Sequence, residues 1–346
     1  MKTALLYGQR DLRIEETPMP EPGAGEALVR VTACGVCPTD VKRYTGVATP
    51  PHFPFILGHE AVGVIEKLGP ETGDQNYFRV GDKVIGGNII TCGCCESCRS
   101  GKLETVGLGS CEDQKVFGVD VDGGFREYTV MPLSIMEKMP DGMPDNIAAL
   151  TEPISCCLNA IEKADIQFGE TVVIIGGGFM GLVQLQLAKL RGATVIVTDL
   201  LDERLETAKQ LGADLTVNPN KADLTEALKQ LNAGSLADVV MCLVGTQSML
   251  GQALSVLNRG GRVVILGGAK HGTTVNIDLN VIHYKQLSVL GSVSYTASGF
   301  KKTIKMLAEG KFAVDVLQSE IISIEDLEKA FVDVENAKGL RKCVVF

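Results

Sequence analysis

Two groups of cysteine, histidine and acidic side chains have the types and spacing of metal ligands. In the first group, Cys92, Cys95 and Cys98 are each separated by two residues, and Cys111 follows after a longer loop. Four thiolates supply the closed tetrahedral site that is typical of structural zinc. Cys94 lies inside the cluster, so spacing leaves open which sulfurs bind; treating Cys94 as the bystander keeps a regular C-x-x-C-x-x-C. Buried thiols without a metal and a zinc ribbon for nucleic acid are the rival interpretations.

The second group is dispersed and consists of Cys37, His59, Glu60 and, far downstream, Glu152. Each residue alone has an ordinary structural explanation. Glu60, however, stands beside His59 in an apolar setting, and a carboxylate near a core requires a partner or a metal. A zinc site that keeps one position open can activate water or an alcohol.

A glycine-rich turn at residues 176–181 follows an apolar β-type run and precedes a helical stretch. In this context G-x-G-x-x-G indicates a dinucleotide site, where the glycines allow a tight turn and the helix start meets the pyrophosphate. Asp199 closes the next strand, where its carboxylate can accept the ribose hydroxyls and repel a 2′-phosphate. No arginine follows immediately, so the pattern favours NAD over NADP. The predicted cofactor-binding residues are Gly176, Gly178, Phe179, Met180, Gly181 and Asp199.

The elements that position these residues differ between the two halves of the chain. The first half is rich in glycine and proline and has short β-type runs at 26–33, 61–67 and 83–85, which indicates an irregular all-β domain. From residue 171, strands alternate with helices, which predicts a doubly wound parallel sheet of six strands. The predicted strands are 171–175, 194–198, 215–217, 238–243, 262–266 and 287–290, and predicted helices include 179–190, 203–211 and 247–257. The tail from about residue 298 holds two more helical stretches and a final strand at 342–346.

Composition limits the function classes. With 346 residues the chain suits two domains, and 45% hydrophobic with 22% charged residues is ordinary globular composition. The formal net charge of −9 argues against nucleic acid as a partner. The absence of a long apolar run and of an export signal predicts no membrane span, a cytoplasmic location and reduced cysteines.

These motifs together make the chain resemble the zinc-containing medium-chain dehydrogenase/reductase family over essentially its whole length. The matching stretches are residues 35–40, 58–63, 92–111, 123–125 and the glycine turn. The resemblance implies an α/β fold with a GroES-like, mostly-β catalytic domain at 1–153 that carries the structural zinc lobe. It further implies a Rossmann NAD-binding domain at 154–292, a segment at 293–346 that returns to the catalytic domain, and an active site in the cleft between the domains.

Within the family, residues 152–155 are most similar to the sorbitol dehydrogenase branch. In that branch the positions of Cys37, His59 and Glu60 hold the catalytic zinc, and the position of Glu152 lies beside the metal or replaces a ligand. The branch implies NAD-dependent oxidation of a secondary alcohol in a small polyol such as sorbitol, xylitol or a butanediol. A sugar-phosphate or threonine dehydrogenase, a zinc-free reductase of the same fold and a non-catalytic dinucleotide-binding protein are the alternatives. Relatives imply a homo-oligomer, a tetramer or a dimer.

The sequence departs from the family pattern around this site. The loop between Cys98 and Cys111 is longer than usual, which leaves the fourth structural ligand open between Cys111 and Cys94. Lys42 stands where many members carry a proton-relay histidine, and Arg43 stands where sorbitol dehydrogenases carry an aromatic residue that lines the substrate pocket. Tyr295 resembles another aromatic of that pocket. We expect Thr39 to accept the alcohol proton first, and Arg43 could bind a phosphate or carboxylate on the substrate.

Overall fold

A computed structural model describes residues 1–70, 77–269, 272–318 and 320–346. These residues form two compact units. The first unit combines residues 1–155 with residues 296–346, and the second consists of residues 156–295. None of the helices in the described ranges is long and apolar enough to span a membrane.

The strands of the described residues are numbered in chain order. They are β1 (Lys2–Gly8), β2 (Asp11–Glu16), β3 (Glu26–Val36), β4 (Glu60–Leu68), β5 (Lys83–Gly86), β6 (Ile89–Ile90), β7 (Lys115–Val116), β8 (Tyr128–Pro132), β9 (Met136–Lys138), β10 (Thr171–Ile175), β11 (Thr194–Thr198), β12 (Leu215–Val217), β13 (Ala237–Cys242), β14 (Leu257–Ile265), β15 (Ser288–Gly291), β16 (Glu320–Ile322) and β17 (Lys342–Val345).

The helices are numbered in the same way. They are α1 (Pro38–Tyr44), α2 (Glu96–Arg99), α3 (Lys102–Thr105), α4 (Asp145–Ala148), α5 (Thr151–Ala164), α6 (Phe179–Leu190), α7 (Asp202–Gln210), α8 (Leu224–Leu231), α9 (Gln247–Ser255), α10 (Leu279–Lys285), α11 (Ala297–Ala308), α12 (Val314–Leu317) and α13 (Leu327–Glu335). Short 3-10 turns occupy Leu108–Ser110, Leu133–Ile135 and Ile324–Asp326.

The first unit is built on a sheet in the order β16-β17-β3-β4-β5-β9, with β8 also paired to β3. β3 is the centre of this sheet and runs antiparallel to β4, β8 and β17. Its core contains Val29, Leu57, Phe125 and Phe331, all almost fully buried. The C-terminal strand β17 therefore belongs to the same sheet as β3 and β4 and lies next to β3.

The second unit has one parallel sheet in the order β12-β11-β10-β13-β14-β15. This is the strand order of the dinucleotide-binding fold, in which the chain reverses its direction of travel beside the first strand. All five residues of β10 are buried, as expected for a central strand that is covered on both faces. The predicted doubly wound α/β fold is confirmed.

One boundary was predicted wrongly. The helix expected over 247–257 ends at Ser255, and the strand expected to begin at residue 262 already begins at Leu257. Leu257 pairs with Ala237, and the ladder continues after a register shift. A bulge of this kind lets a strand carry glycines without ending.

Candidate metal and dinucleotide sites

The cysteine lobe of the first unit brings four sulfurs together. Cys92, Cys95, Cys98 and Cys111 place their Sγ atoms 3.4 to 4.0 Å apart in the five pairs that are in contact. Ligands at 2.3 Å from a tetrahedral zinc lie about 3.8 Å from one another, whereas a disulfide requires about 2 Å. Cys94 is exposed and lies outside this group. The arrangement therefore fits a zinc ion and selects Cys111 over Cys94 as its fourth member.

Backbone amides favour the thiolate form of Cys92 in this lobe. The N–H groups of Cys94 and Cys95 donate to the sulfur of Cys92 and lower the pKa of Cys92 to about 6. A thiolate is the form in which cysteine binds metals.

The second candidate metal group lies where β3 ends and β4 begins. Gly35 of β3 is paired with Glu60 of β4, so Cys37, two residues later, comes beside His59. One potential ligand atom from each of Cys37, His59 and Glu60 lies within 4.8 Å of the others. A Cβ at Gly35 would lie 2.0 Å from Glu60 Oε2, so any larger residue there would displace the Glu60 carboxylate. The sequence-predicted triad is thus brought together by strand pairing.

Asp40 holds the backbone and the imidazole of this group in place. The fully buried carboxylate accepts a hydrogen bond from Cys37 N at 2.9 Å and another from Gly58 N at 3.2 Å. Its Oδ1 also lies 3.4 Å from His59 Nδ1. A carboxylate on one imidazole nitrogen leaves the other nitrogen oriented toward a metal, which is the usual outer arrangement at zinc sites. Asp40 therefore orients the loop that carries Cys37 and the ring of His59.

Glu60 has a cationic partner that sequence reasoning missed. Arg341, immediately before β17, donates to Glu60 Oε1, and the two side chains are 4% and 0% exposed. The second carboxylate oxygen, Oε2, is buried without a hydrogen-bond partner among the described residues. An unsatisfied buried oxygen beside a cysteine and a histidine fits a metal ligand. The only sequence signal for Arg341 was the general requirement that a buried carboxylate be paired.

The charges of the group favour a thiolate. Burial opposes ionisation of the Cys37 thiol, but His59 and Arg341 outweigh it and hold the pKa of Cys37 below its usual value. Burial likewise opposes a charge on His59, and Asp40 together with Cys37 raises the pKa of His59 well above its usual value. A cation is therefore stabilised between Cys37, Asp40 and Glu60, and a divalent metal would supply that charge in place of the proton.

The glycine turn of the second unit has the geometry of a dinucleotide site. Gly176 follows β10 with φ of +111°, and Gly178 is the N-cap of α6. A Cβ on Gly181 would lie 1.9 Å from the carbonyl oxygen of Gly176, so only glycine permits this close approach. Phe179 and Met180 form the first turn of α6, and their backbone amides stand at the helix start that binds phosphates in such turns.

Asp199 lies directly against that turn. Its Oδ2 accepts a hydrogen bond from Gly177 N at 2.7 Å, and its Oδ1 accepts one from Leu201 N at 2.9 Å. The carboxylate therefore stands where the ribose nearest the adenine is bound in dinucleotide folds.

Comparison with known proteins shows the family of the chain. Residues 23–141 match the family model of the alcohol dehydrogenase GroES-like domain, and residues 180–309 match that of the zinc-binding dehydrogenases. The sorbitol dehydrogenase of Bacillus subtilis (strain 168) is 34% identical over 337 residues, covering 95% of this chain and 92% of the relative. The structure of a zinc-binding dehydrogenase of Sinorhizobium meliloti 1021 bound to NADP matches with a TM-score of 0.91 and 31% identity, covering 100% and 99% of the two chains. An alcohol dehydrogenase from Escherichia coli CFT073 complexed with NADH has a TM-score of 0.90 and 29% identity, with coverage of 100% and 99%.

The chain belongs to the zinc-containing medium-chain dehydrogenase/reductase family. It falls in the branch that includes sorbitol dehydrogenases. This family consists of zinc-type alcohol and polyol dehydrogenases and related oxidoreductases, so the resemblance found in the sequence motifs is confirmed.

The other sequence-predicted residues of this family member occupy different positions around the metal group. Glu152 lies in the first turn of α5, outside the group of three, and accepts a hydrogen bond from Asn88 at 2.9 Å. Thr39 is half-buried in the first turn of α1, directly after the N-cap Cys37 and Pro38. Lys42 is exposed on the same helix.

An arginine lies beside Asp199 in the fold although none follows it immediately in the sequence. Arg204 Nη1 lies 3.5 Å from Asp199 Oδ2, and its side chain covers Gly177 and Gly178. The reason is that α7 begins at Asp202, so Arg204 in its first turn projects back over the glycine turn. Among the structural neighbours, one is bound to NADP and another is complexed with NADH, so similar folds hold either cofactor.

Sequence reasoning also missed two serines that follow the last strand of the second unit. Ser292 Oγ and Ser294 Oγ are buried and have no hydrogen-bond partner among the described residues. Ser294 has φ of +60°, an uncommon conformation for a residue with a side chain, and Tyr295 next to it is 2% exposed. These serines lie past the carboxyl end of β15, on the edge where dinucleotide folds bind their ligands.

Proposed function

We propose that the protein is a zinc-dependent dehydrogenase that transfers a hydride between NAD and a secondary alcohol of a small polyol. The observation that carries this proposal is the cluster of Cys37, His59 and Glu60 in a chain that also has a dinucleotide turn with Asp199 against it. Membership in the zinc-type alcohol dehydrogenase family supports the reaction class.

The proposal assigns one zinc to each metal group. Cys92, Cys95, Cys98 and Cys111 would hold a structural ion, since four sulfurs leave no open position. Cys37, His59 and Glu60 would hold the catalytic ion. By resemblance to the sorbitol dehydrogenase branch, Glu152 would lie beside the ion or replace one of these ligands. A catalytic zinc, when bound, acts as a Lewis acid that lowers the pKa of an alcohol, and NAD accepts the hydride.

The chain's own residues account for the remaining requirements. Asp40 fixes the position of Cys37 and the ring of His59, so the ligands are preorganised before a metal binds. Arg341 neutralises part of the charge on Glu60 in a region that excludes water. The hydroxyl of Thr39, two residues after Cys37, would accept the alcohol proton while it gives up its own hydroxyl proton, and Lys42 at the surface of the same helix could relay that proton to solvent.

NAD is the proposed cofactor because the Asp199 carboxylate would repel a 2′-phosphate. Arg204 could compensate for part of that repulsion, which makes the preference one of degree. The unpartnered hydroxyls of Ser292 and Ser294 are candidates for hydrogen bonds to the nicotinamide end of the cofactor.

The test is NAD reduction by the zinc-replete protein across polyols, diols, sugar phosphates and threonine, with NADP run in parallel. We expect turnover with one substrate group and a lower rate with NADP. A protein that binds NADH but reduces NAD with none of these alcohols would instead be a non-catalytic dinucleotide-binding member of the family.

A homo-oligomer is also proposed. Within the described residues β15 is paired on one side only, and Leu279, Tyr284, Val289 and Val293 around it are exposed apolar side chains. An exposed apolar sheet edge favours pairing with another chain. Light scattering of the purified protein measures the state directly, and a monomer would refute this part of the proposal.

A further inference from the structure

Arg43 is a cation in the metal-bearing unit that lacks a countercharge. Its side chain is half-buried, and the structure gives it one weak hydrogen bond, from a guanidinium nitrogen to Val119 O at 3.4 Å. Its Nε is buried and has no acceptor. Among the described residues, no carboxylate lies within ion-pair distance of Arg43. Buried donors are almost always satisfied, so an arginine left in this condition calls for a ligand.

The position of Arg43 relates it to the metal group. It lies in the last turn of α1, whose N-cap is Cys37, and the helix places the two residues roughly 9 Å apart along its axis. The turn at Val119, which Arg43 contacts, packs against His59 of the metal group. Gly118 precedes Val119 in this turn. A Cβ added to Gly118 would lie 2.9 Å from His59 N, so the turn and the backbone of His59 are in close contact. The guanidinium therefore ends on a turn that lies against His59.

The neighbouring residues leave this guanidinium available. Tyr44, the next residue on α1, is buried and donates to Glu328, and Lys42 on the other side is exposed. Val119 offers a neutral carbonyl and no charge. A guanidinium that presents several N–H groups to one side is the side chain best suited to bind a carboxylate or phosphate in two-point fashion.

We propose that the substrate of this enzyme carries an anionic group, a phosphate or a carboxylate, which Arg43 binds while the reacting hydroxyl lies at the Cys37, His59 and Glu60 group. This inference rests on the proposed dehydrogenase function. It deepens that function by adding a second anchoring point for the substrate. The separation of Arg43 from Cys37 along α1 suits an anion at the far end of a polyol chain rather than one on the carbon next to the alcohol.

The experiment compares binding of three six-carbon compounds that differ at one end: sorbitol, sorbitol 6-phosphate and gluconate. Titration calorimetry on zinc-loaded, NADH-saturated protein measures binding without turnover, and the bound NADH keeps the cofactor phosphate sites occupied. We expect sorbitol 6-phosphate or gluconate to bind more tightly than sorbitol, and the preferred one identifies the anion. Arg43→Met should weaken binding of the preferred compound roughly 10- to 100-fold and leave sorbitol unchanged. Arg43→Lys should lose part of the affinity, because charge remains but the two-point geometry is lost.

Arg79→Met is the matched control, because it removes an exposed arginine from the same unit without touching either metal group. It should leave all three affinities unchanged. Equal affinity for the three compounds, or an Arg43→Met protein that binds the anionic ones as tightly as wild type, would overturn the inference. NAD reduction is then measured with the same compounds. Turnover of sorbitol without any anionic preference refutes the role of Arg43 and leaves the dehydrogenase standing, whereas Arg43-dependent binding without turnover of any alcohol refutes the dehydrogenase and leaves the anion site.

Discussion

Replacing Arg341 by methionine should destabilise the first unit, because Arg341 is the cation in contact with the Glu60 carboxylate. Both side chains are buried, at 4% and 0% exposure, so neither water nor salt screens their interaction. Breaking a buried ion pair by removing one partner costs about 3–5 kcal/mol. That is a large share of the roughly 5–15 kcal/mol that stabilises a typical folded protein.

The same sheet supplies a matched control. Arg30 of β3 forms a 2.8 Å ion pair with Glu66 of β4, but their side chains are 43% and 39% exposed. Exposed pairs contribute about 0–1 kcal/mol. Arg30→Met should therefore have little effect, although it removes the same kind of contact from the same part of the sheet.

Urea unfolding followed by far-UV circular dichroism measures the difference, first on protein stripped of metal by a chelator. The two units can unfold in separate transitions, so each transition is fitted separately. The decrease in the free energy of unfolding should appear in the transition of the first unit. The double variant Glu60→Gln with Arg341→Met should recover part of the loss, because no uncompensated charge remains. Added zinc should also reduce the loss in Arg341→Met, since a divalent cation beside Glu60 would replace the missing charge.

Two results would refute this reasoning. An Arg341→Met protein as stable as Arg30→Met would mean that the buried pair is not an electrostatic requirement. A loss that zinc leaves unchanged would mean that Glu60 does not lie beside the metal.

Three further predictions concern the other sites. Cys111→Ser should lower bound zinc by one equivalent per chain in metal analysis while Cys94→Ser retains it; the reverse would assign the fourth ligand to Cys94. Arg204→Ala should lower kcat/KM for NADP more than kcat/KM for NAD, and Asp199→Ala should reduce the ratio of kcat/KM for NAD to that for NADP. If neither variant changes this ratio, neither residue determines the choice of cofactor. Burial raises the pKa of Cys343 to about 12, so the folded thiol keeps its proton at pH values where the unfolded thiol has lost it. The contribution of this thiol to the free energy of unfolding is complete below about pH 8.5 and is lost as the pH rises toward 12. The loss is up to about 1.4 kcal/mol per pH unit. In Cys343→Ala, the free energy of unfolding should decline less steeply over this pH range. An equally steep decline in the variant would refute this last assignment.

The second unit was the more predictable part of the fold. Strand and helix alternate there with short connections, and strands such as β10 are apolar throughout because both faces are covered. The glycine turn carries local constraints that appear in the sequence itself, such as the contact of Gly181 with Gly176. Arg204 was missed because its approach to the turn depends on the residue at which α7 begins, and helix starts are poorly defined by pattern alone.

In the first unit, the ligand types were visible in the sequence but their partners were not. Glu60 and Arg341 are separated by 281 positions, and only the pairing of β17 with β3 brings them together. Spacing could not choose between Cys94 and Cys111, since the choice depends on how the loop after Cys98 folds back. Contacts of this kind are fixed by tertiary structure, which composition and periodicity do not encode.

The most direct test of whether Cys37, His59 and Glu60 form the catalytic centre measures metal content and turnover together. It compares wild type, Cys37→Ser and Cys94→Ser. Zinc per chain, NADH binding and NAD reduction with the best alcohol are measured on the same preparations. We expect two zinc ions per chain and turnover for wild type and Cys94→Ser, and for Cys37→Ser one zinc ion, unchanged NADH binding and no turnover. Full NAD reduction by a Cys37→Ser protein that has lost one zinc would contradict the claim that this group forms the catalytic centre.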